Sequence, residues 1–171
     1  MRILVINGSP RRYGNTTAHC EAFQKGAEQA GHTVNVIQAG IMDISPCRAC
    51  EYCHTKEKGV CIQKDDMQIL LQLIDRADMI VFASPVHYFG FSGQMESVIS
   101  RFYAKMKPKA TKYALFLSSM NSGVYESIER QYQNLVRFFH GEDLGMFEYH
   151  DEENGSEKTL QELEAFGASI K

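Results

Sequence analysis

The apolar run Ile3-Leu4-Val5-Ile6 leads directly into Asn7-Gly8-Ser9-Pro10-Arg11-Arg12-Tyr13-Gly14-Asn15-Thr16-Thr17, and from Thr16 the chain takes on helical spacing. Four apolar residues bounded by Gly and Pro suit a strand covered on both faces, so a strand's C-terminal end meets a helix N-terminus here. Free backbone N–H groups at such a terminus, the hydroxyls of Ser9, Thr16 and Thr17, and the charges of Arg11 and Arg12 all favour a phosphate. Gly8 and Gly14 let the backbone turn and approach it. The loop has no G-K-[ST] and its glycines are not spaced G-x-G-x-x-G, which sets aside the two commonest nucleotide loops. An ordinary strand-to-helix turn needs a Gly or a cap, but not two arginines and several hydroxyls together.

The chain has 171 residues, of which 44% are hydrophobic, enough for one domain with a sizeable core. Its formal net charge is -3, from 18 basic and 21 acidic residues. That gives no basic field for wrapping nucleic acid, so no nucleic-acid partner is expected. No stretch approaches the ~18 uninterrupted apolar residues of a membrane span, and Met1 leads straight into a strand. The expectation is a cytoplasmic protein with no membrane partner. Five cysteines, an odd number with four crowded between positions 47 and 61, fit metal or redox chemistry better than a secreted disulfide scaffold.

Periodicity predicts strands over 2–6, 32–38, 78–83, 112–119 and 144–150. Between them, a helix from Thr16 buries Cys20, Phe23, Ala27 and Ala30 and stops at Gly31. A second helix is capped by Asp65, with Met67, Leu70, Leu71 and Ile74 on one face. Met95, Val98, Ile99, Phe102, Tyr103 and Met106 form a further stripe. A helix opened by Ser122 and Gly123 and a last one capped by Ser156 follow. The stretch 39–64 reads as an irregular, cysteine-rich insertion into a single domain.

Strands and helices alternating in this way predict an α/β three-layer sandwich around a parallel sheet with right-handed crossovers. Five strands of this length commonly take the order 2-1-3-4-5, which puts the ligand crevice at the switch point between strands one and three. The loop after strand three, Ser84 to Phe91, then faces the phosphate loop. Its Pro85, Val86, His87, Tyr88 and Phe89 suit a flat, mostly apolar ring with polar edges, such as a flavin. Ser118, Ser119, Met120 and Gly123 supply a third side.

The Gly8-Ser9-Pro10-Arg11 to Asn15-Thr16 loop, the Asp65-Asp66-Met67 helix start, the Ser84-Pro85-Val86 loop and the helix from Ser92 to Tyr103 carrying Arg101 together resemble the flavodoxin-like NAD(P)H-dependent FMN reductase family. The likeness runs to about Phe147 and is closest to the iron-sulfur flavoproteins and their cysteine-bearing relatives. It implies FMN, with the phosphate on Ser9, Arg11, Asn15, Thr16 and Thr17 and the ring on Pro85 to Phe89. It also implies NAD(P)H as co-substrate, no protein acid or base in the hydride step, and assembly as a homodimer or homotetramer. Arg11 is assigned to the phosphate and Arg12 to solvent or a partner subunit. Three positions depart from the family pattern: His87 where Tyr is common, Glu96 where Lys is common, and Ser100 where Asp precedes the Arg. The last two fall on the polar side of their helix, which points to subunit contacts or surface charge.

Cys47-x2-Cys50-x2-Cys53-x7-Cys61 is the second constellation. Three thiols at two-residue gaps, with a fourth on the returning chain, resemble the compact 4Fe-4S motif of iron-sulfur flavoproteins. Zinc and reversibly oxidised free thiols are the alternatives left open at this level. With a cluster, two electrons arriving as hydride would leave singly to a one-electron acceptor; without it, reduced flavin would serve a quinone, an azo compound or free flavin directly. Readings of a different class are a flavodoxin-type electron carrier and a zinc-bearing flavodoxin-like binding module.

Overall fold

The computed structural model describes residues 1–171. Its centre is a parallel sheet of β1 (Arg2–Asn7), β2 (Thr33–Ile37), β3 (Met79–His87), β5 (Lys112–Ser119) and β6 (Glu142–His150), in the order β2-β1-β3-β5-β6. A two-residue strand, β4 (Gly90–Phe91), turns back antiparallel on the end of β3. The five parallel strands follow the expected order. The short β4 is an addition, so the sheet has six strands, not five. The third strand runs past Ala83 to His87, and the stretch read as an open loop is a strand extension with a hairpin. Pro85 is tolerated in the strand because it lies at the end of the ladder opposite Ser118, where little remains for its missing N–H to pair with.

Consecutive residues of β1 point to opposite faces, and both faces are covered. Leu4 and Ile6 join Ile80, Phe82, Leu115 and Leu117 under α3 (Met67–Ile74), α4 (Gly93–Arg101) and α5 (Glu126–Phe139). Ile3 and Val5 join Val81, Ala114 and Phe116 under α1 (Asn15–Gln29) and α6 (Glu157–Ser169). This two-sided burial explains why β1 reads as a continuous apolar run. On the second face Phe23 is fully buried, with its ring edge-on to Phe116 at 5.3 Å. Burying such a side chain contributes roughly 1.5–3 kcal/mol. Cys20 belongs to this core, whereas Ala30, expected inward, is exposed beyond the last packed turn. Helices α1 and α6 touch backbone to backbone, because a Cβ on Gly26 would lie 1.8 Å from the Glu164 carbonyl oxygen.

Ser92 caps α4 by accepting from Met95 N–H, and Ser156 caps α6 by accepting from Thr159 N–H. Helix α5 starts at Glu126, three residues beyond Gly123. The cysteine-rich stretch holds a single-turn 3-10 helix at 39–41 and the short α2 (Tyr52–Thr55), with the remainder irregular. It lies over the C-terminal end of α4, held by the Cys47 N–H donating to Ser100 Oγ at 3.1 Å and by a 3.0 Å contact of His54 Nε2 with the Tyr103 carbonyl. Ser100 therefore anchors this segment and is not a surface substitution. No helix of the fold is long and apolar enough to cross a membrane.

Candidate functional site

The loop after β1 is shaped from beneath by Asn7, which is fully buried. Its Oδ1 accepts from Ser9 N–H at 2.9 Å, bending the chain, while its Nδ2 donates to Thr17 Oγ1 and to Gln38 Oε1. Gln38 Nε2 in turn donates to the Ser9 and Arg11 carbonyls. Ser92 Oγ donates to the Gly8 carbonyl at 2.7 Å, tying the loop to α4. Gly40 packs so closely under the loop that a Cβ there would lie 2.0 Å from the Ser9 carbonyl oxygen. A loop fixed at this many points presents its remaining polar groups in set directions.

Those groups open onto a crevice of about 340 Å³ at the C-terminal ends of the strands. Ser9, Arg11, Asn15 and Thr16 form one wall, Pro85, Val86 and His87 a second, and Ser119 and Met120 a third. The volume lies in the usual range for a small-molecule site. Thr16 Oγ1 meets Ser118 Oγ at 2.7 Å and joins the first wall to β5. At the N-terminus of α1, Gly14 offers no side-chain cap and the first turn holds no acidic residue. The helix therefore directs uncompensated N–H groups and its positive end into the crevice beside Arg11, an arrangement suited to an anion.

Four of the expected residues lie elsewhere. Thr17 is buried behind the wall, where its hydroxyl accepts from Asn7 and donates to the Arg11 carbonyl. It shapes the loop without facing the crevice. Tyr88 and Phe89 form the tip of the β3–β4 hairpin and are 99% and 58% exposed, because a two-residue reversal throws its central side chains outward. Gly123 has φ +72° and open space around it. Arg12 is exposed and outside the crevice.

Behind the third wall, Asn154 Nδ2 donates to the Ser119 carbonyl at 2.7 Å, and the Asn154 carbonyl lies 2.6 Å from His19 Nε2. His19 is fully buried, and burial pulls its imidazole below the usual range despite that backbone contact. It stays neutral and structural. Neither residue carried a signal in the sequence, since their partners lie 35 and 135 positions away.

A second site lies under the cysteine segment. Cys47, Cys50, Cys53 and Cys61 all line one small pocket, with Arg101 and Tyr103 from α4 and the turn after it. All four are free thiols. No three His, Cys, Asp or Glu side chains converge closely enough to hold one metal ion, so the sulfurs ring the pocket without meeting at a point. Burial pushes the Cys53 thiol up, and Cys61, Cys47 and Cys50 push it the same way.

Arg101 is 1% exposed and binds Asp65 through both carboxylate oxygens, at 2.6 and 3.0 Å. Burial alone would raise the Asp65 carboxyl, but the bonds from Arg101 and from Ser45 N–H hold it below the usual carboxylate range. The sequence signal for this pair was Arg101 itself, a charge three residues after the buried Val98 and beside the buried Phe102.

The family model described as NADPH-dependent FMN reductase matches residues 1–154. Two curated proteins of Archaeoglobus fulgidus, each named iron-sulfur flavoprotein, are similar to this chain. One is 37% identical over 59% of this chain and 45% of its own length; the other is 30% identical over 72% and 60%. The chain thus spans about half the length of these relatives. The solved NAD(P)H:quinone oxidoreductase of Methanothermobacter marburgensis superposes with a TM-score of 0.74 at 16% identity, covering 100% of this chain and 96% of that one, a likeness of fold.

Proposed function

Because the chain belongs to the NADPH-dependent FMN reductase family, we propose that it is an FMN-dependent NAD(P)H oxidoreductase whose four clustered cysteines hold a 4Fe-4S centre on the way to a one-electron acceptor. The observation that carries the flavin part is the uncapped α1 N-terminus opening, with Arg11, onto a crevice of fitting volume. Ser9, Arg11, Asn15 and Thr16 hold the phosphate. Pro85 and Val86 would pack against the ring, and Ser119 and Met120 would border its edge. When bound, FMN would supply hydride acceptance from a nicotinamide, and a cluster on the four cysteines would supply one-electron transfer onward.

The donor set of the cysteine pocket fits such a centre. Four thiols line one pocket, the ligand number and type of such a centre, and an arginine in the wall offsets their charge. The protein's own part is to orient the ring, shield one side of it from water and fix the thiols. No side chain in the crevice is required to move a proton in the hydride step. A second copy of this chain covering the Tyr88–Phe89 tip and Met120, all exposed, belongs to the same reading.

Anaerobic absorption spectroscopy tests it. After incubation with FMN, ferrous iron and sulfide, followed by desalting, the protein should show flavin bands plus a broad shoulder that dithionite bleaches. NADPH or NADH should then bleach the flavin, which a flavodoxin-type carrier would not allow. A protein that stays colourless overturns the reading; flavin bands without the shoulder overturn its iron-sulfur part alone.

A further inference from the structure

A guanidinium placed inside a protein needs a partner on every edge, because burying an uncompensated charge is strongly destabilising. Arg101 meets most of this need on one side. Nη1 donates to Asp65 Oδ2 and, at 2.7 Å, to the Ser45 carbonyl, while Nη2 donates to Asp65 Oδ1. Asp65 also accepts from Ser45 N–H at 3.1 Å and from Met67 N–H at 3.3 Å. The pair therefore cannot swing.

The Nε–H differs from both terminal nitrogens, each of which makes at least one bond. It is buried and has no hydrogen-bond partner, and Arg101 forms part of the wall of the cysteine pocket. A buried donor left unmade is costly, and more so when it is charged. Cys61 lies in the same wall as this guanidinium. The arrangement differs from a structural ion pair, which would use all its donors on its own partners. Here a buried, charged Nε–H stays unmade at a pocket lined with sulfur.

We propose that Arg101 is a positioning residue for the anionic group the four cysteines hold, its Nε–H donating to the Cys61 sulfur and its Asp65-fixed charge favouring that group's more negative, reduced state. Asp65 is the counterweight, with the opposite sign at a slightly greater remove. Net charge and hydrogen bonds to sulfur are what set the potential of such a centre. This inference rests on the iron-sulfur reading above and goes beyond it by naming the residue pair that sets how readily an electron enters.

The test uses the full chain loaded anaerobically with FMN, ferrous iron and sulfide, and reads the cluster's electron paramagnetic resonance signal during a potentiometric titration. Arg101→Gln should lower the ratio of reduced to oxidised centre at a fixed ambient potential at least tenfold, a shift of about 59 mV for a one-electron couple. Arg101→Lys, which keeps the charge and loses the Nε donor, should shift it less and in the same direction. Asp65→Asn should shift it the other way.

Opposite signs are the signature, since a purely structural pair would loosen the pocket from either side and move the potential without that sign rule. The proposal is overturned if both arginine variants titrate like the wild type, or if Arg101→Gln and Asp65→Asn shift together. Should Arg101→Gln lose its fold by circular dichroism, the Lys and Asn variants carry the sign test. If every variant unfolds while the wild type takes up iron, the pair is structural only and the proposal fails. A wild-type protein that binds FMN but no iron removes the iron-sulfur reading itself, a result separate from unshifted potentials.

Discussion

The crevice at the strand ends and the pocket under the cysteine segment are built from different materials. The crevice is walled by backbone that the sheet and α1 already fix: Pro85 lies in register opposite Ser118, Gly8 N–H donates to the Ala83 carbonyl, and Asn7 and Gln38 brace the loop from below. The cysteine pocket lies in a segment with almost no regular structure, attached to the fold by side-chain bonds to Arg101, Ser100 and the Tyr103 backbone. A site made of ladder ends tolerates the loss of single side chains, whereas a site hung on a few buried polar contacts does not.

The largest expected effect therefore falls on the second region. Asp65→Ala leaves the Arg101 guanidinium buried without its carboxylate, and breaking a buried pair in this way costs about 3–5 kcal/mol. Urea unfolding followed by circular dichroism should show it. The same pair carries a pH dependence of definite sign. Because the folded state holds the Asp65 carboxyl below its ordinary range, its contribution is fully present above about pH 4. It is lost as the pH falls through the depressed folded value. Wild type should thus lose stability on acidification, over the range below pH 4, more steeply than Asp65→Ala. Equal slopes would show that the carboxylate contributes nothing through its charge.

Gly40→Ala tests the first region by the opposite route, overfilling it where the previous change emptied the second. The added methyl would meet the Ser9 backbone, which cannot rotate aside as a side chain would. Overpacking of this kind costs about 1–3 kcal/mol. The strain should appear as a tenfold or greater loss of FMN affinity, measured by flavin fluorescence, with iron uptake unchanged. Loss of both together would mean that the two regions are coupled through the segment from Ala39 onward.

The same contrast decides what could be read from the chain before folding. The strands and their alternation with helices followed from local periods and from the buried runs of β1 and β3, and their order from the arrangement that five such strands commonly take. The loop after β1 stood out through Gly8, Gly14 and the hydroxyls, and the structure puts Ser9, Arg11, Asn15 and Thr16 on one wall of the crevice. The hairpin was illegible because Pro85 and Gly90 carry breaker signals whose meaning depends on where the ladder ends. Tyr88 and Phe89 were misplaced for the same reason: an aromatic pair looks alike in sequence whether it lines a crevice or crowns a turn. Cysteine spacing brought four thiols to one pocket, yet the partner that gives Arg101 its role lies 36 residues earlier on another helix start. Separations of that size leave no periodic trace.

The smallest effect expected concerns the hairpin tip that borders the crevice. Tyr88 and Phe89 both have positive φ, 49° and 63°, the conformation that two-residue hairpins ask of their central residues and that glycine or asparagine normally supplies. A bulky residue held there costs about 1–2 kcal/mol, part of which a glycine would return to chain entropy in the unfolded state. Tyr88 is 99% exposed and gives up no packing when replaced. Tyr88→Gly should therefore stabilise the isolated chain by about 0.5–1 kcal/mol, seen as a small rise in Tm. Strain of this kind persists where a side chain has work outside its own fold. If a second copy covers the tip, the same substitution should weaken self-association in sedimentation while the monomer's Tm rises. A Tm that falls would show that the tyrosine packs on its own chain, and the hairpin would then belong with the rigid crevice.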